Sequence, residues 1–353
     1  MNLYETYAMK ITRLALACHS LVLFTLLCTA FAPARADSDP LQFDDSMLDE
    51  ALVHPDWFKL SAGDLRDDVR EAVAAGKQGI ILYFGQARCA YCEQFIEQDL
   101  GEPDIAYYIR KHYDMIAIDI WGIDEIIDTD GKTYTERELS LKYKANFTPT
   151  VVFYDKRGNA VFRLRGFHPP YPFRAALAYV TEGFYKTESF RDYLARAEPG
   201  MFFMEGGLNE RDFFLSPPYD LPALLQTGKP VAVFFEQGNC HACDLLHTDA
   251  MNRDNVIQEL QQMQAIQLDM WSDTPVVTPE GKTLSARQWA DALGIFHAPS
   301  IVFFAPDGRE ILRIDSIVQY YRLWGVLDYI NKGAYLKQPD YQAWRLSQRR
   351  IRQ

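Results

Sequence analysis

The chain carries the same pattern twice, about 150 residues apart. The segment 85–92 (GQARCAYC) matches 236–243 (EQGNCHAC) at an offset of 151 residues. Further along, DIW at 119–121 falls on DMW at 269–271 at an offset of 150. A match that stays in register this long indicates a duplicated domain. The 353 residues therefore form two related folds in tandem.

The first 36 residues are expected to be an export signal. Two basic residues precede a largely apolar stretch at 14–32, and Ala-Arg-Ala at 34–36 fits the small-x-small cleavage rule. We expect cleavage after Ala36 and a periplasmic location. The alternative is an uncleaved membrane anchor, because the apolar stretch approaches the length that spans a bilayer.

The rest of the chain is predicted to contain a first domain at 37–199 and a second at 200–353, with a boundary near Pro199-Gly200. Loss of Glu5, Lys10, Arg13 and Arg35 with the signal changes the formal net charge from −12 to −14. Such an acidic protein is poorly suited to nucleic acid or to an anionic membrane surface. We expect no nucleic-acid partner, and membrane attachment only if the signal stays uncleaved.

Outside the signal, every cysteine belongs to a Cys-x-x-Cys pair. The four residues are Cys89, Cys92, Cys240 and Cys243. Small exported proteins often spread their cysteines to cross-link loops, and this chain does not. The pattern favours two redox sites over structural disulfides.

Each copy alternates buried strands with helices, which predicts an α/β fold. In the first copy the patterns predict helices at 64–75, from the cysteines to about Leu100, at 135–143 and at 173–184, and strands at 80–84, 113–120, 150–154 and 160–164. In the second copy they predict strands at 231–235 and 265–270, a hairpin around Asp307-Gly308, and a helix from about Tyr321.

A Cys-x-x-Cys pair at the start of a helix suits thiol chemistry. Free backbone N–H groups and the helix dipole stabilise a thiolate at the first cysteine. The second cysteine, one turn on, attacks the mixed disulfide and releases the reduced product. We therefore assign Cys89 and Cys240 as nucleophiles and Cys92 and Cys243 as resolving thiols.

Pro149 and Pro299 are predicted to complete the two sites. A proline directly before a central strand is costly in an ordinary sheet. It is accommodated as a cis proline in a turn that faces the cysteines, where the preceding residue offers backbone hydrogen bonds to a substrate peptide. The recurrence of the proline in both copies favours this interpretation over an ordinary trans turn.

Strand, CxxC, helix, strand, helix, proline, hairpin and helix follow one another in the order of the thioredoxin superfamily, which both halves resemble. The whole is similar to periplasmic thioredoxin-related proteins of the SoxW type. The resemblance implies two tandem thioredoxin folds, each a mixed sheet flanked by helices. It also implies that Thr148-Pro149 and Ala298-Pro299 bind substrate. Tyr91 and Thr148 resemble the isomerase and reductase branch.

The chain departs from that family at one position. Thioredoxins carry a buried Asp six residues before the first cysteine, where it accepts the proton of the resolving thiol; here Tyr83 and Phe234 occupy the place. Three acidic residues nearby are candidate substitutes: Glu93, Asp244 and Glu236.

His241 lies between the second pair of cysteines and is expected to modulate the pKa of Cys240, since an imidazolium favours a thiolate. A solvent-exposed histidine with no such role is the alternative. A zinc site is disfavoured because the pairs are far apart in sequence, unlike those of zinc ribbons. No metal or cofactor is expected.

The sequence leaves the direction of electron flow open. We expect a reductase or isomerase whose partners are disulfide-bearing proteins and a membrane thiol electron donor. A disulfide oxidant and a redox-sensing, peptide-binding module without turnover remain the alternatives.

Overall fold

The computed structural model describes residues 39–197 and 207–352. The export signal expected at 1–36 and the expected boundary at Pro199-Gly200 lie outside the described residues. Both halves belong to one compact unit, Phe43–Gln353.

The first half consists of helices and strands in alternation. Its helices are α1 (Leu65–Ala74), α2 (Ala90–Gln94), α3 (Pro103–His112), α4 (Glu136–Lys142), α5 (Pro170–Thr181) and α6 (Phe190–Ala197). Its strands are β1 (Gly79–Gly85), β2 (Tyr113–Asp119), β3 (Glu125–Ile127), β4 (Thr133–Thr135), β5 (Thr150–Tyr154) and β6 (Ala160–Arg165).

The second half repeats this order. Its helices are α7 (Leu221–Leu225), α8 (His241–Thr248), α9 (Asp254–Leu260), α10 (Ala286–Ala292), α11 (Tyr320–Asn331) and α12 (Tyr341–Arg352). Its strands are β7 (Tyr219–Asp220), β8 (Val231–Glu236), β9 (Gln264–Asp269), β10 (Pro275–Val277), β11 (Thr283–Ser285), β12 (Ser300–Phe304) and β13 (Glu310–Ile314). Among the described residues, no helix combines the length and apolar composition needed to cross a membrane.

Each half is built on a four-stranded mixed sheet. The strand order is β2-β1-β5-β6 in the first half and β13-β12-β8-β9 in the second. In each, the strand that leads to the cysteines is parallel to one neighbour and antiparallel to the other. Both of these strands are buried along their whole length, as their continuous apolar runs predict. The tandem α/β architecture expected from the repeat is thereby confirmed.

The helix after the first cysteines differs from its prediction. It was expected to run to about Leu100, but α2 ends at Gln94 and continues as a π-helix, Phe95–Asp99. Helix α3 was not predicted. Helix α5 begins at Pro170, three residues before the predicted start, because proline is tolerated in the first turn of a helix, where its missing N–H is not needed.

The two halves pack directly against one another. Phe147 of the first half is buried in the apolar core of the second. Arg165 forms an ion pair with Asp315 across the junction. The carbonyl of Phe167 accepts a hydrogen bond from the N–H of Ile317 at 3.1 Å. These contacts bring the N-terminal ends of α5 and α11 close to the cysteines of the opposite half.

Candidate redox sites

The first site lies where β1 leads into α2. Cys89 is the N-cap residue of α2 and forms a disulfide with Cys92. The backbone N–H of Cys92 donates to Cys89 Sγ at 3.0 Å. In the reduced protein this N–H and the helix dipole stabilise a thiolate at Cys89, which is the arrangement expected of a nucleophile.

The second site repeats this geometry where β8 leads into α8. Cys240 is the N-cap residue of α8, it forms a disulfide with Cys243, and the N–H of Cys243 donates to its sulfur at 3.1 Å. The Cα atoms of the two cysteines are 5.1 Å apart in both pairs. Cys89 is 5% exposed and Cys240 is 7% exposed.

The prolines singled out in the sequence face the cysteines in both halves. The peptide bonds Thr148-Pro149 and Ala298-Pro299 are cis. The carbonyl oxygen of Thr148 lies 3.9 Å from Cys89 Sγ, and that of Ala298 lies 3.6 Å from Cys240 Sγ. The sulfur of the first cysteine in each pair therefore lies beside the carbonyl group that precedes the cis proline.

A chain of hydrogen bonds reaches Cys89 from the end of β2. Trp121 Nε1 donates to Gln86 Oε1, and Gln86 Nε2 donates to Thr148 Oγ1, each at 3.0 Å. Because Thr148 Oγ1 accepts from Gln86, its hydroxyl is free to donate to Cys89 Sγ, 3.1 Å away. A donor at this distance stabilises a thiolate and lowers its pKa.

The second site has only the outer part of this chain. Trp271 Nε1 donates to Gln237 Oε1 at 2.8 Å, but Ala298 has no hydroxyl to extend the chain to Cys240. The glutamine was missed in the sequence, although it stands three residues before the first cysteine in both repeats. Its recurrence beside the repeated tryptophan was the available signal.

Tyr91 connects the first site to the second half of the chain by hydrogen bonds. Its hydroxyl donates to Asp45 Oδ2 at 2.9 Å and accepts the N–H of Gln319 at 2.8 Å. The same carboxylate accepts the backbone N–H groups of Tyr321 and Arg322, both at 2.8 Å, so Asp45 caps the N-terminus of α11. Burial raises the pKa of Tyr91 well above its ordinary value, which keeps the phenol neutral.

Arg322 donates a hydrogen bond to the Thr148 carbonyl group, which lies beside Cys89. Its Nη2 donates to the oxygen of Thr148 at 3.0 Å, and its guanidinium carbon lies 3.3 Å from the centroid of the Tyr91 ring. The side chain is 3% exposed, and burial lowers its pKa. No pattern in the sequence indicated this contact, which joins residues 174 positions apart.

The spaces beside the two disulfides differ in size and character. At Cys89, a cavity of about 70 Å³ is bordered by Arg322 and by the segment 45–47, whose Met47 pairs with Cys89 in an antiparallel bridge. At Cys240, a cavity of about 350 Å³ is lined by residues of both halves. Its apolar lining residues are Pro169, Tyr171, Pro172, Leu194, Ala242, Phe296 and Ala298.

His241 is the first residue of α8 and is exposed at the rim of the larger cavity. It lies beside Cys240, where the sequence placed it. Its effect on the pKa of Cys240 stays a prediction.

Of the three acidic residues considered as proton acceptors, Glu236 is the one that is fully buried. It lies at the end of β8, where His247 Nε2 is 2.9 Å from its Oε1 and Gln267 Nε2 donates to its Oε2 at 3.1 Å. His247, which the sequence analysis missed, lies one turn after Cys243 on α8. Asp244 is exposed and bonded to Asn209.

The first half has no carboxylate at the place of Glu236, because Gly85 stands there. The Tyr83 ring fills the space instead, with its hydroxyl 2.9 Å from where a Cβ on Gly85 would lie. Burial raises the pKa of Tyr83. The two sites therefore differ in the group nearest the equivalent strand end, a neutral phenol in one and a buried acid in the other.

The fold and the paired cysteines define a protein with two thioredoxin-like halves, each with its own Cys-x-x-Cys disulfide. A family model described as a thioredoxin-like domain matches residues 65–181 and again 218–331. The chain belongs to this thioredoxin-like family. The two matched regions confirm the duplication inferred from the sequence.

Three solved structures with sequence similarity each match between about a third and two fifths of the chain. A thioredoxin-fold protein from Helicobacter pylori is 27% identical, covers 34% of this chain and 80% of its own, and has a TM-score of 0.30. A thioredoxin from Thermus thermophilus is 26% identical with coverages of 33% and 82% and a TM-score of 0.26. A disulphide isomerase from Xylella fastidiosa is 21% identical with coverages of 42% and 98% and a TM-score of 0.21. No curated protein matches the chain.

Proposed function

We propose that the protein is an exported thiol–disulfide oxidoreductase that reduces or isomerises disulfides of other proteins. One observation carries the proposal. In each half, a disulfide closes between two cysteines at a helix start, and the first sulfur lies within 4 Å of the carbonyl group before a cis proline. A reactive sulfur and a backbone acceptor for a peptide are the two parts that exchange with a protein disulfide requires.

The proposed reaction starts from the reduced protein. The thiolate of Cys89 or Cys240 attacks one sulfur of a substrate disulfide; that S–S bond breaks, a mixed disulfide forms, and the departing substrate thiolate takes up a proton. The resolving cysteine then loses its proton and attacks the mixed disulfide. The second substrate thiol leaves with a proton, and the substrate has gained two electrons while the Cys-x-x-Cys pair is oxidised to its disulfide.

Repeated turnover as a reductase needs a dithiol that reduces the pair again. We propose a membrane thiol electron donor for this role, and a periplasmic location, because the sequence features at 1–36 match an export signal. A relay in which one half passes electrons to the other would require unequal reduction potentials at the two sites.

The test is the reduction potential of each pair, measured with the other pair changed to serine. The protein without residues 1–36 is equilibrated in glutathione buffers, and its thiols are quantified by alkylation. Potentials near about −270 mV, the value of thioredoxin, would support a reductase. Potentials near about −120 mV, the value of the oxidant DsbA, would overturn that direction. Failure of both pairs to form a disulfide would remove the redox function.

The low exposure of Cys89 and Cys240 favours a second candidate, a peptide-binding module whose cysteines only sense the redox state. The serine variants separate the two functions. If the variant with all four cysteines replaced retained full biological activity, the binding module would be correct and the enzyme proposal wrong.

A further inference from the structure

The two sites are covered by equivalent parts of the opposite halves, but with different residues. At the repeat offset of 150, Arg322 at the start of α11 corresponds to Pro172 at the start of α5. Arg322 borders the cavity at Cys89, and Pro172 borders the cavity at Cys240. The same position of the repeat therefore lies beside the redox site of the opposite half in both cases.

At the first site, Arg322 makes the hydrogen bond that the backbone of a substrate peptide would otherwise make. A peptide that docks as an extended strand donates an N–H to the carbonyl before the cis proline. Arg322 Nη2 already donates to the Thr148 oxygen at 3.0 Å. The arginine is held from two sides, by the Tyr91 ring under its guanidinium group and by Asp45 on its backbone N–H. A peptide must displace a buried, anchored side chain to reach this carbonyl.

At the second site the equivalent residue offers no donor to the carbonyl before the cis proline. Proline has no side-chain donor, so Pro172 cannot bond to the Ala298 carbonyl. The cavity at Cys240, about 350 Å³, lies within the size range of ligand pockets, whereas the 70 Å³ at Cys89 falls well below it. Its apolar lining suits an apolar side chain next to the substrate cysteine. Exposure of the cysteines does not distinguish the sites, since 5% and 7% are nearly equal.

We propose that protein disulfides dock at the Cys240 site and that Arg322 is the specificity-determining residue that excludes them from the Cys89 site. The inference rests on the proposed oxidoreductase function. It assigns to Cys240 the attack on extended protein substrates with an apolar residue beside the disulfide. The Cys89–Cys92 pair exchanges with small disulfides, which do not require the Thr148 carbonyl.

The test uses two proteins that each keep a single pair, one with C240S and C243S and the other with C89S and C92S. Each is assayed with dithiothreitol as donor on insulin, a protein disulfide, and on hydroxyethyl disulfide, a small one. We expect the Cys240 protein to reduce insulin at least tenfold faster than the Cys89 protein. We expect their rates on the small disulfide to lie within threefold.

Exchange of the two covering residues tests the cause. In the Cys89 protein, Arg322→Ala should raise the ratio of the insulin rate to the small-disulfide rate at least fivefold. In the Cys240 protein, Pro172→Arg should lower that ratio at least fivefold. The matched control is Arg174→Ala, which removes an exposed arginine that forms an ion pair with Asp104 and lines neither of the two cavities. This control should leave the ratio unchanged.

Trapping covers the case in which Arg322→Ala does not fold. Single replacements C92S and C243S in the otherwise native chain leave a nucleophile without its resolving partner. Insulin should then be captured on Cys240 and not on Cys89. Equal capture, or equal insulin rates at the two isolated sites, would overturn the inference while the oxidoreductase function stands. Loss of activity on both substrates at both sites would instead refute the proposed function.

Discussion

The hydroxyl of Tyr91 accepts a hydrogen bond from the backbone N–H of Gln319 at 2.8 Å. Tyr91 lies between the two cysteines of the first half, and Gln319 is the N-cap residue of α11 in the second. The same hydroxyl donates to Asp45, which caps this helix. One phenol therefore connects the first redox site to the junction between the halves.

Removal of this hydroxyl should destabilise the protein. In Tyr91→Phe, the Gln319 N–H loses its hydrogen bond to the phenol, which costs about 1–3 kcal/mol when nothing replaces it, while Asp45 Oδ2 keeps the N–H of Arg322. We expect a decrease of at least about 1 kcal/mol in the free energy of unfolding, measured by urea denaturation of the oxidised protein. Tyr179→Phe is the matched control, because its hydroxyl donates to Glu188 within the first half. A decrease below about 0.5 kcal/mol in Tyr91→Phe would contradict the assigned role.

The Thr148 hydroxyl should lower the pKa of Cys89. Hydrogen bonds to charged groups contribute about 1.5–3 kcal/mol, and one pKa unit corresponds to about 1.4 kcal/mol. Thr148→Ala is therefore expected to raise the pKa of the Cys89 thiol by about one unit. The pKa is read from the pH dependence of iodoacetamide alkylation in the reduced C240S and C243S protein.

Thr150→Ala is the control for this measurement, since that hydroxyl donates to the Phe147 carbonyl and leaves Cys89 untouched. The reciprocal change Ala298→Thr should lower the pKa of Cys240 in the protein that keeps only the second pair. An unchanged pKa of Cys89 in Thr148→Ala would show that the hydroxyl does not donate to the thiolate.

Glu236 should assist the resolving step at the second site alone. It is paired with His247, one helical turn from Cys243, and a carboxylate can receive the proton that Cys243 must lose. We expect Glu236→Gln to slow the release of a mixed disulfide from Cys240 by about a hundredfold, the lower end of the range of general-base effects. Rapid-quench electrophoresis follows the release.

Asp244→Asn serves as the control, because this carboxylate is exposed on α8, the helix that carries Cys243. Release from Cys89 should be unaffected by Glu236→Gln, since Gly85 stands at the equivalent place. Equal rates of release from Cys240 with and without the Glu236 carboxylate would refute the role.

A decrease in pH should lower the folding stability of the protein because two histidines are buried at the junction between the halves. The rings of His168 and His297 are 5.0 Å apart, and Arg165 and Asp315 are the charged groups beside them. Burial lowers the pKa of His168 to about 4 and that of His297 to about 3. The unfolded chain therefore binds protons that the folded chain excludes once the pH falls below about 6.5.

Stability should be complete above pH 7 and fall as the pH decreases, by about 2 kcal/mol per histidine at pH 5. Urea denaturation at pH 7.5 and pH 5 measures the difference. His168→Asn, which removes one of the two titrating rings, should lower this difference by about half of the histidine contribution. The same pH dependence in the variant and the parent would contradict the assignment.

The features that could be predicted from the sequence are those that produce a recognisable pattern within a short segment. The apolar run of β1, the cysteine pairs and the prolines before β5 and β12 all appear as short motifs, and the repeat doubled each signal. Helix α3 was missed because the pattern after the cysteines was continued to about Leu100, whereas the chain forms a π-helix and starts a new helix at Pro103.

The contacts across the junction had no local signal. Asp45 and Arg322 are 277 positions apart, and a buried arginine on a carbonyl has no periodicity to detect. The pair of Glu236 and His247 was hidden for another reason: the equivalent positions in the first repeat are Gly85 and Ile96, so comparison of the repeats pointed away from it.

Each half covers the redox site of the other half with the start of a helix. This arrangement resembles a two-fold symmetric dimer whose two subunits are joined in one polypeptide. In a true homodimer both copies of an interface position are the same residue, so an arginine over one site would also lie over the other. Fusion into a single chain removes that constraint. It allows Arg322 at one site and Pro172 at the other, and lets the two sites diverge while both halves keep a four-stranded mixed sheet.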